Sequence, residues 1–114
     1  MEECIFCKIV RKEIPADIVY EDDEILVFND IKPVTPIHML VIPKKHIESI
    51  VDIEDLDKEL MGKICLKIKE VAKLKKIDEN GFRVVVNCGE NGGQMVKHLH
   101  FHILAGKKLS DKIV

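Results

Sequence analysis

The order of elements in this 114-residue chain predicts an α+β fold, an antiparallel five-stranded sheet with one long helix and a short N-terminal helix. Three observations predict it. Short β-rich runs precede a single stretch of helical periodicity, further such runs follow it, and no glycine-, serine- or proline-rich linker separates the two groups. At this length roughly two-thirds of the surface can be buried, enough for one core, so residues 1–114 are read as one domain.

In chain order, residues 4–12 form a short helical turn that Ile14-Pro15 ends, because proline disfavours helix in the residue before it. Ile18 to Tyr20 and Ile25 to Phe28 read as strands, with the acidic segment Glu21-Asp22-Asp23-Glu24 as the hairpin between them. His38 to Ile42 is a third strand, entered after Pro33 and Pro36 and stopped by Pro43. The long helix runs from about Glu54 to Lys75, with Leu56, Leu60, Ile64, Ile68 and Val71 making one apolar stripe. Asp52 is its expected N-cap, Lys73, Lys75 and Lys76 suit the negative end of its dipole, and Asn80-Gly81 turns the chain beyond it. Phe82 to Asn87 and His98 to Ala105 complete the sheet. Cys65 sits beside the stripe and is expected in the core, whereas Cys88 lies in a loop and is expected to be exposed.

Composition narrows the function. Hydrophobic residues are 46% and charged residues 33%, too apolar for disorder. Lys+Arg 18 against Asp+Glu 20 gives a net charge of -2, and with no Trp and one Tyr there is neither the basic excess nor the stacking surface of a nucleic-acid binder. No 18-residue apolar stretch occurs, so no membrane partner is expected and the chain is read as cytoplasmic. In a reducing compartment its four cysteines are not a disulfide framework.

The chemistry concentrates in His98-Leu99-His100-Phe101-His102-Ile103-Leu104. Strand side chains alternate, so Leu99, Phe101 and Ile103 face a core while His98, His100 and His102 share the other face. The first and third imidazoles would stand about 13 Å apart, so the three have different roles. A merely polar strand face needs no histidine, and alternate positions on a straight strand rarely converge on one metal. Nucleophilic catalysis, with one imidazole attacking and its neighbours handling protons, is the reading adopted. The preceding loop, Cys88-Gly89-Glu90-Asn91-Gly92-Gly93-Gln94, has three glycines whose backbone N–H groups could approach an anion.

This histidine pattern, with Gly92-Gly93-Gln94 and Val85-Val86-Asn87 before it, resembles the histidine triad (HIT) family, and more closely its nucleotide-binding, purine nucleoside phosphoramidase branch. Phe6, Ile14-Pro15-Ala16, Glu21-Asp22-Asp23, Phe28, Asp30-Ile31, His38 and Val41 to His46 fall in family order, so the likeness spans nearly the whole chain. The resemblance implies a HIT-like fold, a homodimer, a purine nucleotide (AMP- or GMP-type) ligand, and hydrolysis of nucleoside 5′-phosphoramidates through a nucleotidyl-histidine. His100 would be the nucleophile, His102 would contact the phosphate or leaving group, and His38 would support the nucleophile; His98 completes the histidine set. Asp30 would accept hydrogen bonds from the ribose, Ile5, Phe6, Phe28, Asn29 and Ile31 would line the base pocket, and Asn87, Gly93, Gln94, Met95 and Val96 would surround phosphate and ribose. The family commonly has serine after the glutamine; Met95 stands there, which implies altered rather than abolished activity. A dinucleoside polyphosphate hydrolase, and a nucleotide- or partner-binding module with little catalysis, are the alternatives.

Cys4-x-x-Cys7 on its own could be a zinc half-site, a redox pair or two buried small residues. Some microbial members of the family hold structural zinc with Cys and His at these positions. The resemblance therefore implies Cys4, Cys7, His46 and His98 as a closed, noncatalytic Zn2+ site, with no cofactor required for catalysis.

Overall fold

The structure is a computed structural model, and it describes residues 4–113. Its elements are α1 (Ile5–Val10), β1 (Ile18–Glu21), β2 (Ile25–Asn29), β3 (Ile37–Pro43), α2 (Lys58–Leu74), β4 (Arg83–Val85) and β5 (Phe101–Ala105). The five strands form one antiparallel sheet in the order β1-β2-β3-β5-β4, as expected of the α+β reading. No helix among the described residues is long and apolar enough to cross a membrane.

The central strands β2 and β3 are apolar almost without alternation because both faces of the sheet are covered. On one face, Ile25, Val27, Met39, Val41, Leu99 and Ile103 pack with Leu60, Ile64, Ile68 and Val71 of α2. On the other, Leu26, Phe28, Leu40 and Ile42 pack with Phe6 and Ile9 of α1. The even-numbered positions of β3 and β5 share this second face, so His38, Leu40 and His102 look toward α1. The β1–β2 hairpin is fastened by Asp22, whose Oδ1 accepts from the N–H groups of Glu24 and Ile25, each at 2.8 Å.

Several boundaries depart from the sequence reading. The first helix ends at Val10, before Pro15, and Lys12 takes a positive φ of 64° beyond it, so a left-handed residue rather than proline turns the chain. The long helix starts at Lys58 rather than Glu54, because a single 3-10 turn, Asp55–Asp57, occupies its expected first turn, with another, Ile50–Asp52, before it. Asp52 is therefore not the N-cap; it accepts from Ser49 Oγ, and the capping box is Glu54 with Asp57. Leu56 leaves the stripe and is exposed in the second turn. Cys65 is likewise exposed rather than in the core, since the α2 stripe of Leu60, Ile64, Ile68 and Val71 turns position 65 outward. The fourth strand is only Arg83–Val85, and the fifth is regular only from Phe101. His98 and His100 thus lie in the approach to β5, where their backbone is free to make other bonds.

Candidate active site

Backbone groups hold His100, His38 and His98 and decide which ring nitrogen carries the proton, and His102 takes its tautomer from His38. His100 Nδ1 is 2.7 Å from the carbonyl oxygen of His98. A carbonyl can only accept, so Nδ1 carries the hydrogen and Nε2 keeps its lone pair. At the other end, the Val34 N–H donates to His38 Nδ1 at 3.1 Å, which leaves the His38 proton on Nε2. That proton points to His102 Nδ1, 2.9 Å away, so His102 in turn carries its own hydrogen on Nε2. The rings of His100 and His102 lie 5.0 Å apart. Two adjacent imidazoles therefore present opposite faces of the same chemistry: a bare nitrogen on His100 and an N–H on His102.

Burial favours the neutral form of His102 and His38. Desolvation is the main cause that lowers the His102 pKa to about 4, with the neighbouring imidazoles of His100 and His38 adding to it. The His38 pKa is also lowered, again chiefly by burial and against the pull of Asp30. The Asp30 Oδ2 lies 3.4 Å from His38 Nε2, while its Oδ1 accepts from the Lys32 N–H at 2.8 Å. Asp30, His38 and His102 form a compact group of potential metal donors. The Val34 bond argues against that use, because a metal on His38 Nε2 needs the hydrogen on Nδ1, facing another donor.

Two aromatic rings of the N-terminal half come together beside His100. Phe6 meets Phe28 edge-on at 5.5 Å and His100 at 5.2 Å, and Val96 packs against the same cluster. Ile5 and Ile31 are exposed, Ile31 at 88%. Asn29 is engaged with Asp17 through Nδ2 at 2.8 Å. In the glycine loop, Gly92 is needed for space, since a Cβ there would sit 2.3 Å from the Cys88 carbonyl oxygen. The N–H groups of Gly93, Gln94 and Gly89 are already bonded within the loop, to Glu90 O, Gly89 O and Gln94 Oε1. The Gln94 amide also donates to Glu48 O and Val96 O, and Asn87 donates to Gly92 O. Asn87 and Gln94 thus shape the loop, and Met95 beside them is 90% exposed.

His98 faces away from this centre. It is completely buried, its Nε2–H donates to the Pro43 carbonyl at 2.8 Å, and its bare Nδ1 lies 3.3 Å from Cys4 Sγ, 3.5 Å from Cys7 Sγ and 3.2 Å from His46 Nδ1. Cys7 Sγ is 3.2 Å from His46 Nδ1. Tetrahedral zinc with ordinary bond lengths sets sulfur and nitrogen about 3.6 Å apart and two nitrogens about 3.3 Å apart. The four donors therefore fit such an ion, and the Pro43 carbonyl is the outer partner that a ligating histidine ordinarily has. The sequence pattern offered no signal for the backbone groups of Val34, Pro43 and His98 that orient these rings, since every residue carries them.

A twisted antiparallel sheet that presents a bare imidazole nitrogen beside an imidazole N–H defines a domain for histidine-centred chemistry. The HIT domain profile matches residues 11–109, and the chain belongs to the HIT family. A histidine triad protein from Clostridium difficile is 55% identical with a TM-score of 0.93, the match covering 98% of this chain and 99% of that one. A HIT family hydrolase from Legionella pneumophila is 46% identical with a TM-score of 0.93, covering 96% and 97%. A histidine triad nucleotide-binding protein from Candida albicans is 31% identical with a TM-score of 0.82, covering 98% and 87%.

Proposed function

We propose that the protein hydrolyses nucleoside 5′-phosphoramidates through a covalent nucleotidyl-histidine at His100, releasing the nucleoside monophosphate. The observation that carries the reading is the opposed protonation of His100 and His102, set by the His98 carbonyl at one end and the Val34 N–H at the other. The Legionella hydrolase and the nucleotide-binding Candida protein support it by likeness.

In this reaction His100 Nε2 attacks phosphorus and the phosphorus–amine bond breaks, the amine leaving with the proton that the substrate's phosphoramidate nitrogen already carries, while His102 Nε2–H donates a hydrogen bond to a phosphoryl oxygen. The His100 ring becomes cationic, and the His98 carbonyl already on its Nδ1–H stabilises that charge. Water then attacks the nucleotidyl-imidazole, the phosphorus–nitrogen bond to His100 breaks, and the water's protons pass to the product phosphate and to solvent. Asp30 Oδ2 accepts from a ribose hydroxyl, and Phe6 and Phe28 form the wall for a purine. Cys4, Cys7, His46 and His98 hold a zinc ion away from the chemistry. A homodimer is proposed on the open edge of β4 with its exposed Val84, together with exposed Leu66 on α2.

The test is release of AMP from adenosine 5′-phosphoramidate. The wild type turns over, and His100→Ala lowers kcat by about 10³-fold or more. Turnover of diadenosine polyphosphates in preference would reassign the substrate, and AMP binding without turnover would reduce the protein to a binding module.

A further inference from the structure

The four-donor group and the reaction centre share one residue. His98 offers its ring to Cys4, Cys7 and His46, and its carbonyl to the Nδ1–H of His100. A second link runs through α1. Cys4 stands at its N-terminus, where Sγ accepts from the Cys7 N–H at 3.2 Å, and Phe6, between the two cysteines, packs edge-on against both His98 and His100 at 5.9 and 5.2 Å. The two ends of the donor group thus reach the nucleophile by separate routes, one through backbone and one through an aromatic ring.

We infer that a divalent ion bound by Cys4, Cys7, His46 and His98 positions the nucleophile, by fixing the His98 carbonyl against His100 Nδ1–H and seating Phe6 on the His100 ring. The inference rests on the proposed nucleophilic role of His100. It makes His98 a positioning residue, not a catalytic one. A bond from the Leu99 N–H to the Ile47 carbonyl, at 2.7 Å, ties the same segment to the core without any ion, so the fold has an anchor of its own. What the ion adds is rotational restraint on His98 and on α1. With those restraints gone, the His98 carbonyl and the Phe6 ring no longer hold His100 in one tautomer and one orientation.

The experiment compares the full chain loaded with zinc and stripped by a chelator, at a temperature where circular dichroism shows both folded. Two readouts are followed: the nitrogen-15 resonances of the His100 ring with AMP bound, and the burst rate of His100 nucleotidylation. Stripping zinc is expected to turn a single Nδ1–H tautomer into a mixture and to slow the burst about tenfold, the scale on which outer partners of a metal site act. Restoring zinc reverses both. His46→Ala, at the exposed ligand, reproduces the loss, and His46→Cys, which restores a donor, recovers it. An unchanged tautomer and rate in zinc-free folded protein, or a chain that binds no zinc, overturns the inference. If the stripped protein unfolds, cadmium replaces zinc, and its longer bonds are expected to shift the His100 ring resonances; an unshifted spectrum overturns the inference. If no form turns over adenosine 5′-phosphoramidate, the proposed reaction fails, while the ring-nitrogen readout still decides the coupling.

Discussion

His100 differs from the histidines on either side of it only by what its nitrogens face. Its Nδ1–H meets a carbonyl, whereas the His102 Nδ1 meets an N–H, so that in the proposed reaction one ring offers a lone pair for attack and the other an N–H to the phosphate. Sequence alternation places all three side chains on one face but cannot distinguish them, because tautomers are set by partners distant in the chain: His38 is 64 residues from His102. Met95 is the residue at which chemistry can be added without disturbing structure. It is 90% exposed, so Met95→Ser is expected to leave stability within about 0.5 kcal/mol. A hydroxyl there, able to bond the phosphate or the departing amine, is expected to raise kcat/KM for adenosine 5′-phosphoramidate by up to about tenfold. Steady-state kinetics beside a thermal melt check both halves, and an unchanged kcat/KM removes position 95 from the site.

At the scale of elements, the apolar periodicity of α2 and the β-rich runs marked the long helix and the five strands, but their ends were set by contacts that periodicity does not encode. The helix starts late because Glu54 and Asp57 cap a 3-10 turn ahead of it, and the shortened β5 leaves His98 and His100 in irregular backbone. That irregularity matters to the site, since a regular ladder at these positions would engage the His98 carbonyl that now holds His100. The stripe of α2 is the main cover of one sheet face, and Ile64 at its centre has no exposed surface. Ile64→Ala is therefore expected to cost about 2–5 kcal/mol in urea unfolding while leaving the kcat of the folded fraction nearly unchanged, because Ile64 lies on the face opposite the histidines. A large kcat change in folded protein would mean that the two faces are coupled.

Across the whole molecule, the buried imidazoles make stability depend on pH. The folded-state pKa values of His98 and His102 are about 4, against 6.5 for an ordinary histidine, with burial the leading cause in both. Between these values the unfolded chain binds more protons than the folded one, so stability is complete above about pH 6.5 and is lost progressively as pH falls toward 4. Melts of zinc-free protein from pH 7.5 downward are expected to show a falling Tm below about pH 6.5. His102→Gln is expected to shallow that slope, and a slope unchanged in the variant would exclude His102 as a source. Zinc at the proposed site is expected to raise Tm further, since its donors from the N-terminal end of α1, the segment after β3 and the approach to β5 come together only in the folded chain.

The sequence by itself determined the fold class, the two-faced sheet and the residue types of the site, because alternation, helical periodicity and a run of three histidines are local patterns with local physical causes. It also supplied the Cys4, Cys7, His46 and His98 set through family likeness. Tertiary structure alone decided which donors converge, which nitrogen of each ring carries a proton, and that His98 turns from the reaction centre to the cysteines while lending that centre its carbonyl. It also decided that Asn87 spends its amide on the loop, that Gln94 ties the loop to Glu48, and that Ile31 stands in solvent. These are matters of backbone hydrogen bonds between segments far apart in the chain, and since every residue offers the same backbone donor and acceptor, only the folded geometry selects among them.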